Sequence, residues 1–276
     1  MRHVRRALLV ISSSVLVAVG NANAACTIPF QGQAMQGGLV IGRAAPTTQV
    51  QVAGKPVRVS NDGLFLVGFG RDAPSEIKVE VISNDGKMIC NLAVERRKYD
   101  IQRIDGLPKR KVTPKAVDVK RIRADNAAIG KVRKLNSAGT DFADGFAWPL
   151  KGRISGVFGS QRVLNGKPRR PHNGVDIAAP KGTPIVAPAP GKVVLVHPDM
   201  FYTGKSIMID HGHGLSSVYV HMSEISVKEG QRVAAGDQIG KVGMTGRATG
   251  PHLHWGMSLF KTHLDPALLA GPLEKK

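Results

Sequence analysis

Gly246-Arg-Ala-Thr-Gly-Pro-His252-Leu-His254-Trp255 sets two histidines two positions apart, directly after a glycine- and proline-rich turn. Where such a turn opens a β-strand, both imidazoles project from one face, because strand side chains alternate. Upstream, Arg169-Arg-Pro-His172-Asn-Gly-Val-Asp176-Ile adds a histidine and a carboxylate. Pro171 and Gly174 argue against a helix there, so a turn must bring His172 and Asp176 together. These four residues are the right kinds to hold one catalytic zinc, which takes three nitrogen or oxygen ligands and leaves a fourth position open. His221, between the two pairs, is a candidate proton handler. Because His252 and His254 share a face, spacing alone leaves open which of them touches the metal.

Around these residues the chain reads as β structure. Runs 192–196, 206–209, 217–221 and 252–258 are apolar or alternating, and the Pro/Gly-rich segment 179–191 argues against a long helix. His211 and His213, in Asp-His-Gly-His-Gly, imitate a second ligand pair but follow a strand into a turn, which makes them loop residues near the groove. His197 and His263 read as surface or packing residues. Asp210 is either a turn former or an acceptor for the second N–H of a ligand histidine. Tyr219, two before His221, shares its face by alternation and either donates to an oxyanion or packs.

Residues 25–100 read as a small β domain. Runs 39–41, 49–52, 57–59, 64–67, 77–82 and 88–94 are rich in valine and isoleucine, with Asn61-Asp62-Gly63 and Asn84-Asp85-Gly86 as hairpin signals. From Arg96 to Lys134 the composition shifts to 14 Lys/Arg against four aspartates. Thr113-Pro114 opens a helix as N-cap and first residue, and Val119, Ile122, Ile129, Val132 and Leu135 fall on one face. Residues 101–147 are thus a basic helical connector ending in a polar, flexible linker, 137–145. The basic helix face reads as a solvated surface, or as a contact for envelope polymer.

Arg2, Arg5 and Arg6, the apolar run 7–19 and Ala22-Asn23-Ala24 form the three regions of a secretory signal, residues 1–24. The run is shorter than the roughly 20 apolar residues a membrane span needs, and serines 12–14 interrupt it. Without those arginines the formal charge falls from +19 to +16. After cleavage no membrane span remains, and Cys26 and Cys90 meet an oxidising space that favours pairing. Such a charge calls for an anionic partner. With 5% aromatic residues and no basic-aromatic platform, nucleic acid is not that partner; anionic envelope polymers are.

His172-Asn-Gly-Val-Asp176, Tyr219-Val-His221-Met222 and the His252-Leu-His254 stretch resemble the three motifs of the lysostaphin-type (LytM-like) zinc metalloendopeptidases. Gly156-Val-Phe-Gly159 and Gly191-Lys-Val193 do so too, and the likeness runs over roughly 148–266. Trp255 stands where many members have phenylalanine, and Asp265-Pro266 where many have Asn-Pro. The resemblance implies a C-terminal antiparallel β-sheet metallopeptidase domain, 148–276. It implies Zn2+ held by His172, Asp176 and His254, with His221 and His252 flanking the open position as catalytic residues. It also implies a peptidoglycan substrate and a periplasmic, cell-wall or secreted location. The alternative is a non-catalytic activator of other cell-wall hydrolases, against which the complete set of five residues argues. In some relatives an N-terminal domain covers the groove in a latent form, which the domain order here permits. The scissile bond and the oligomeric state are not written in these residues.

Overall fold

The computed structural model of the protein describes residues 26–84 and 86–273. The signal segment 1–24 lies outside the described residues, as does Asp85 of the second turn signal. No helix among those described is long and apolar enough to cross a membrane.

Two small sheets form the N-terminal part. One has three strands, Phe30–Gly32, Leu39–Arg43 and Leu64–Gly68; the other has four, ordered Lys55–Val57, Gln49–Val52, Glu76–Ser83, Gly86–Ala93. Val40, Phe65, Val67, Val50, Val79 and Val81 fill the space between them, the alternation expected of two facing sheets. A disulfide joins Cys26 to the fully covered Cys90. Closing that 64-residue separation stabilises the fold by about 2–4 kcal/mol. The strands Glu76–Ser83 and Gly86–Ala93 pair as a hairpin, with Ser83 opposite Gly86. Asn61-Asp62-Gly63 makes no hairpin: it joins strands of different sheets, and Ser60 Oγ accepts from the amides of Asp62 and Leu64. The second tight hairpin is instead Ala53-Gly54, at φ 48° and 73°, where alanine masked the signal. The strand expected at 57–59 lies earlier, at Lys55–Val57, and Phe30–Gly32 was not anticipated.

The alternate residues of the three-stranded sheet, Leu39, Leu64 and Leu66, enter a second core with Trp255, Tyr219, Leu253 and Leu264. That core lies behind the large antiparallel sheet. Its strand order is Arg232–Val233, Gly191–Met200, Gly204–Gly212, Leu215–Met222, His252–Leu259, Val175–Ala178, Arg153–Gly156, with Thr262–Leu264 also pairing on His252–Leu259.

The connector differs from its expected form. It begins with a strand, Ile101–Ile104, that runs parallel to Gln161–Leu164 and extends a hairpin with Lys167–Pro168. A short helix, Lys109–Val112, precedes the main helix Ala116–Val132. That helix is N-capped at Lys115 rather than Thr113, because the Asp118 side chain accepts from the Lys115 amide while the Lys115 carbonyl accepts from the Asp118 amide. Its inner face is Asp118, Ile122, Asp125, Ile129 and Val132, whereas Val119 is 38% exposed. The two acids are satisfied: Asp118 pairs with Arg110, and Asp125 accepts from the Phe201 amide at 2.7 Å. Ala128, Ile129 and Val132 pack on Leu195, Met208 and Val218. Residues 137–145 are not a free linker either. Phe142 is fully buried in the main core, and Asp141 pairs with Arg232.

Candidate metal centre

In the large sheet Asp176 lies opposite His254, and His254 opposite Val220. Opposed residues share a face, so Asp176, His252, His254 and Val218 project together, away from the Trp255 core. The connector helix lies on this same face through Val218, beside the histidines. The described contacts of the N-terminal region include the rear core, residues 157–160, Asn136 through Arg58, and Asp265 through Gly37 and Arg97.

His172 enters from the loop before Val175–Ala178. Its amide donates to Ser160 O at 2.9 Å, and its carbonyl accepts from the Gly159 amide at 2.8 Å. Its Nδ1 faces Val157 O at 3.0 Å, an acceptor only, so Nδ1 carries the hydrogen and Nε2 keeps a lone pair. That Nε2 lies 2.9 Å from His254 Nδ1 and 3.1 Å from Asp176 Oδ1; His254 Nδ1 is 2.8 Å from the same oxygen. His172, Asp176 and His254 therefore form a group that could hold a metal ion. Three such atoms repel one another unless a proton or cation lies between them. Zinc–nitrogen bonds of about 2.0–2.1 Å would set tetrahedral ligand separations near 3.3 Å, which this cluster meets after a small expansion. The donor set fits zinc.

Two histidines flank the cluster. His252 Nδ1 donates to Gly250 O at 2.8 Å, and its Nε2 lies 4.0 Å from Asp176 Oδ1. His221 Nδ1 donates to Thr245 O at 2.8 Å, and its ring is 4.7 Å from that of His252 between centroids. Strand alternation alone would put His221 with Tyr219 on the other face. The chain escapes this by taking φ 64° at His221, which costs about 1–2 kcal/mol for an L-residue. The amide of His221 is then held by Thr203 O at 2.8 Å. Tyr219 thus does not share the face of His221. It is fully buried, bonded to Ser217 Oγ at 2.9 Å, and packs.

The electrostatics favour neutral imidazoles at His221 and His254 and an ionised carboxylate at Asp176. Burial pushes the His221 pKa down to about 3, helped by the neighbouring His252 and His254. Burial likewise lowers His254 to about 4, against the pull of Asp176. Burial alone would raise the Asp176 pKa, but its close contacts with His172 and His254 outweigh burial and hold it well below the usual carboxylate range. Lone pairs at neutral pH are what both a metal and a proton acceptor require.

One partner was missed by sequence reasoning. Arg162, from the strand Gln161–Leu164, pairs with Asp176 Oδ2, the oxygen turned away from the histidines. Only its place in a basic run, 162–170, hinted at it. Gly156 is opposite Asp176, and a Cβ there would lie 2.6 Å from Oδ2, so the glycine makes room for this ion pair.

Among the described residues, the remaining histidines stay out of the cluster. His211 and His213 are not near the groove: the adjoining Asp210 and Gly212 pair with Ser216 and Leu215 at the opposite end of Leu215–Met222, about six residues or roughly 20 Å from His221. His211 is fully buried between Pro190 O and Ser217 Oγ, and His213 packs on Phe142 without a hydrogen bond to either ring nitrogen. Asp210 accepts from the Gly212 amide, a turn role. His197 accepts from the Asp199 amide near the surface.

A family model described as peptidase family M23 matches residues 170–266. A putative peptidase M23 of Pseudomonas aeruginosa, a solved structure, is 34% identical with a TM-score of 0.68; the match covers 87% of this chain and 96% of that one. Peptidoglycan DD-endopeptidase ShyA of Vibrio cholerae is 45% identical over 108 residues, 38% of this chain and 24% of that protein. An uncharacterized metalloprotease of Haemophilus influenzae is 37% identical over 145 residues, 51% of this chain and 30% of its own length. The chain thus spans less than a third of either of these two relatives.

Proposed function

The chain belongs to peptidase family M23, and on that premise we propose that it is an exported zinc endopeptidase hydrolysing peptide bonds in the cross-links or stem peptides of peptidoglycan. His172, Asp176 and His254 hold the ion in this reading, and His221 and His252 are the catalytic residues. Zinc bound there supplies Lewis acidity and a water acidified to a pKa of about 7. The chain supplies proton handling. His221 and His252 each spend Nδ1–H on a backbone carbonyl, which fixes ring and tautomer and leaves Nε2 to accept a proton. An imidazole protonated at Nε2 can then donate to the departing amine, while the other orients the reacting oxygen.

The observation that carries the reading is the convergence of two imidazole nitrogens and one carboxylate oxygen within 2.8–3.1 Å, with two further tethered imidazoles beside them. Peptidoglycan is supported by the activity of the Vibrio relative, a peptidoglycan DD-endopeptidase, and by the formal charge of +16 left without the three leader arginines, which suits an anionic polymer. Export to the periplasm, cell wall or medium rests on the leader segment. The test is digestion of purified sacculi of known cross-link chemistry, with mass spectrometry of the released fragments and metal analysis of the protein. New amine and carboxylate ends that require zinc are expected. A zinc-free protein that releases nothing yet stimulates an amidase would replace this reading with the activator.

A further inference from the structure

Both sides of the metal cluster are propped by residues far upstream of the matched segment. The loop 157–160 holds His172 through its three backbone contacts. Its central residue, Gly159, has φ 81°, and its carbonyl accepts from Arg71 Nε at 2.6 Å. A Cβ on Gly159 would lie 2.1 Å from the Tyr99 ring, so that ring lies flush against the loop backbone. Tyr99 also meets Phe158 edge-on at 6.4 Å, and the Arg71 guanidinium lies 4.4 Å from its centroid. One ring and one guanidinium therefore grip the segment that fixes the His172 tautomer.

Asp176 is propped through a relay. Arg162 pairs with its Oδ2, and Arg162 Nε donates to Gln102 Oε1 at 3.2 Å. Gln102 is the register partner of Arg162 in the parallel strand pair, and its amide nitrogen donates to Ser155 O at 3.1 Å. Holding Oδ2 on Arg162 leaves Oδ1 alone to face the two histidines, which favours one-oxygen binding and keeps a coordination position free.

We propose that Arg71, Tyr99 and Gln102 are positioning residues for metal binding, so that the region upstream of residue 146 completes the metal site. The proposal rests on the reading of His172, Asp176 and His254 as ligands. Neither Arg71 nor Tyr99 nor Gln102 lies within the matched segment 170–266. The ligands sit on a turn and a short strand, and ligand geometry is as rigid as whatever packs behind it. Loss of such outer partners typically lowers metal affinity 10–100-fold.

The test measures zinc affinity of the full-length protein by competition with a chromophoric chelator, alongside unfolding of the metal-free protein. Tyr99→Ala, Arg71→Ala and Gln102→Ala are each expected to weaken zinc 10–100-fold. Tyr99→Phe keeps the ring against Gly159 and is expected to retain wild-type affinity. Glu80→Gln serves as the control: it breaks the bridges to Lys78 and Lys87 on the outer sheet, touching neither prop, and leaves affinity unchanged. Wild-type affinity in all three alanine variants overturns the proposal. So does equal weakening by Glu80→Gln, which would make the effect one of global stability. A wild-type protein that binds no zinc would instead remove the ligand assignment itself.

Discussion

The same pattern, two histidines separated by one residue, occurs twice in the large sheet with opposite outcomes. His252 and His254 stand on a continuous strand, share a face, and meet a carboxylate and a third imidazole. His211 and His213 straddle the end of the strand Gly204–Gly212. Gly212 at φ 96° and His213 at φ 51° turn the chain there, and the two rings part. His211 is consumed by Pro190 O and Ser217, while His213 is buried against Phe142. Spacing reports a shared face only while the strand continues. A site also needs an unspent lone pair on each ring.

The largest expected effect breaks the first pair. His254→Ala or Asp176→Ala should abolish both zinc content and turnover of sacculi, whereas His211→Ala should leave zinc content intact and destabilise the fold by about 1–3 kcal/mol through its orphaned partners. Retained activity in the first two would refute the assignment. Next come the tethered rings. His221→Gln and His252→Gln should keep zinc but lower kcat by roughly 10²–10⁴, the range for a lost acid–base group; wild-type kcat in both would remove them from the chemistry. Arg162→Met frees Asp176 Oδ2 and should weaken zinc about 10–100-fold, read by chelator competition.

The smallest effect sharpens the second pair through pH. Burial lowers the pKa of His213 to about 4, below its ordinary value of 6.5. The unfolded chain therefore binds a proton more readily than the folded one between those values. Stability carried by the neutral ring is complete above about pH 6.5 and drains away as pH falls towards 4. His211 behaves alike, with its pKa also near 4, chiefly from burial and against Asp210 and Asp141. His213→Phe keeps the ring contact with Phe142 and should flatten the loss of stability between pH 6.5 and 4 in urea titrations. An unchanged slope would mean that His213 does not titrate with folding.

Much of the fold is legible locally. Strands such as Gln49–Val52, Leu215–Met222 and His252–Leu259 lie within a residue or two of their apolar alternation, because that pattern and the pleat have one period. The helix boundary moved because Asp118 captured the Lys115 amide, a competition that Thr113-Pro114 does not reveal. Phe142 sat in a polar stretch and was read as linker, since only a distant core decides whether one aromatic residue is buried. The turn 61–63 showed its chemistry but not which sheets it would join.

From composition and motif order alone, the chain declares a basic, mainly β protein with a zinc-type donor set in its C-terminal half. The family likeness is in those motifs as well. The folded arrangement alone decided that Nδ1 of His254 and Nε2 of His172 are the converging atoms, that a left-handed backbone angle carries His221 across the sheet, and that Arg162 occupies the second oxygen of Asp176. Residue type and spacing encode periodicity over a few residues. Which lone pairs remain unspent depends on partners brought in from remote segments, and packing alone chooses those.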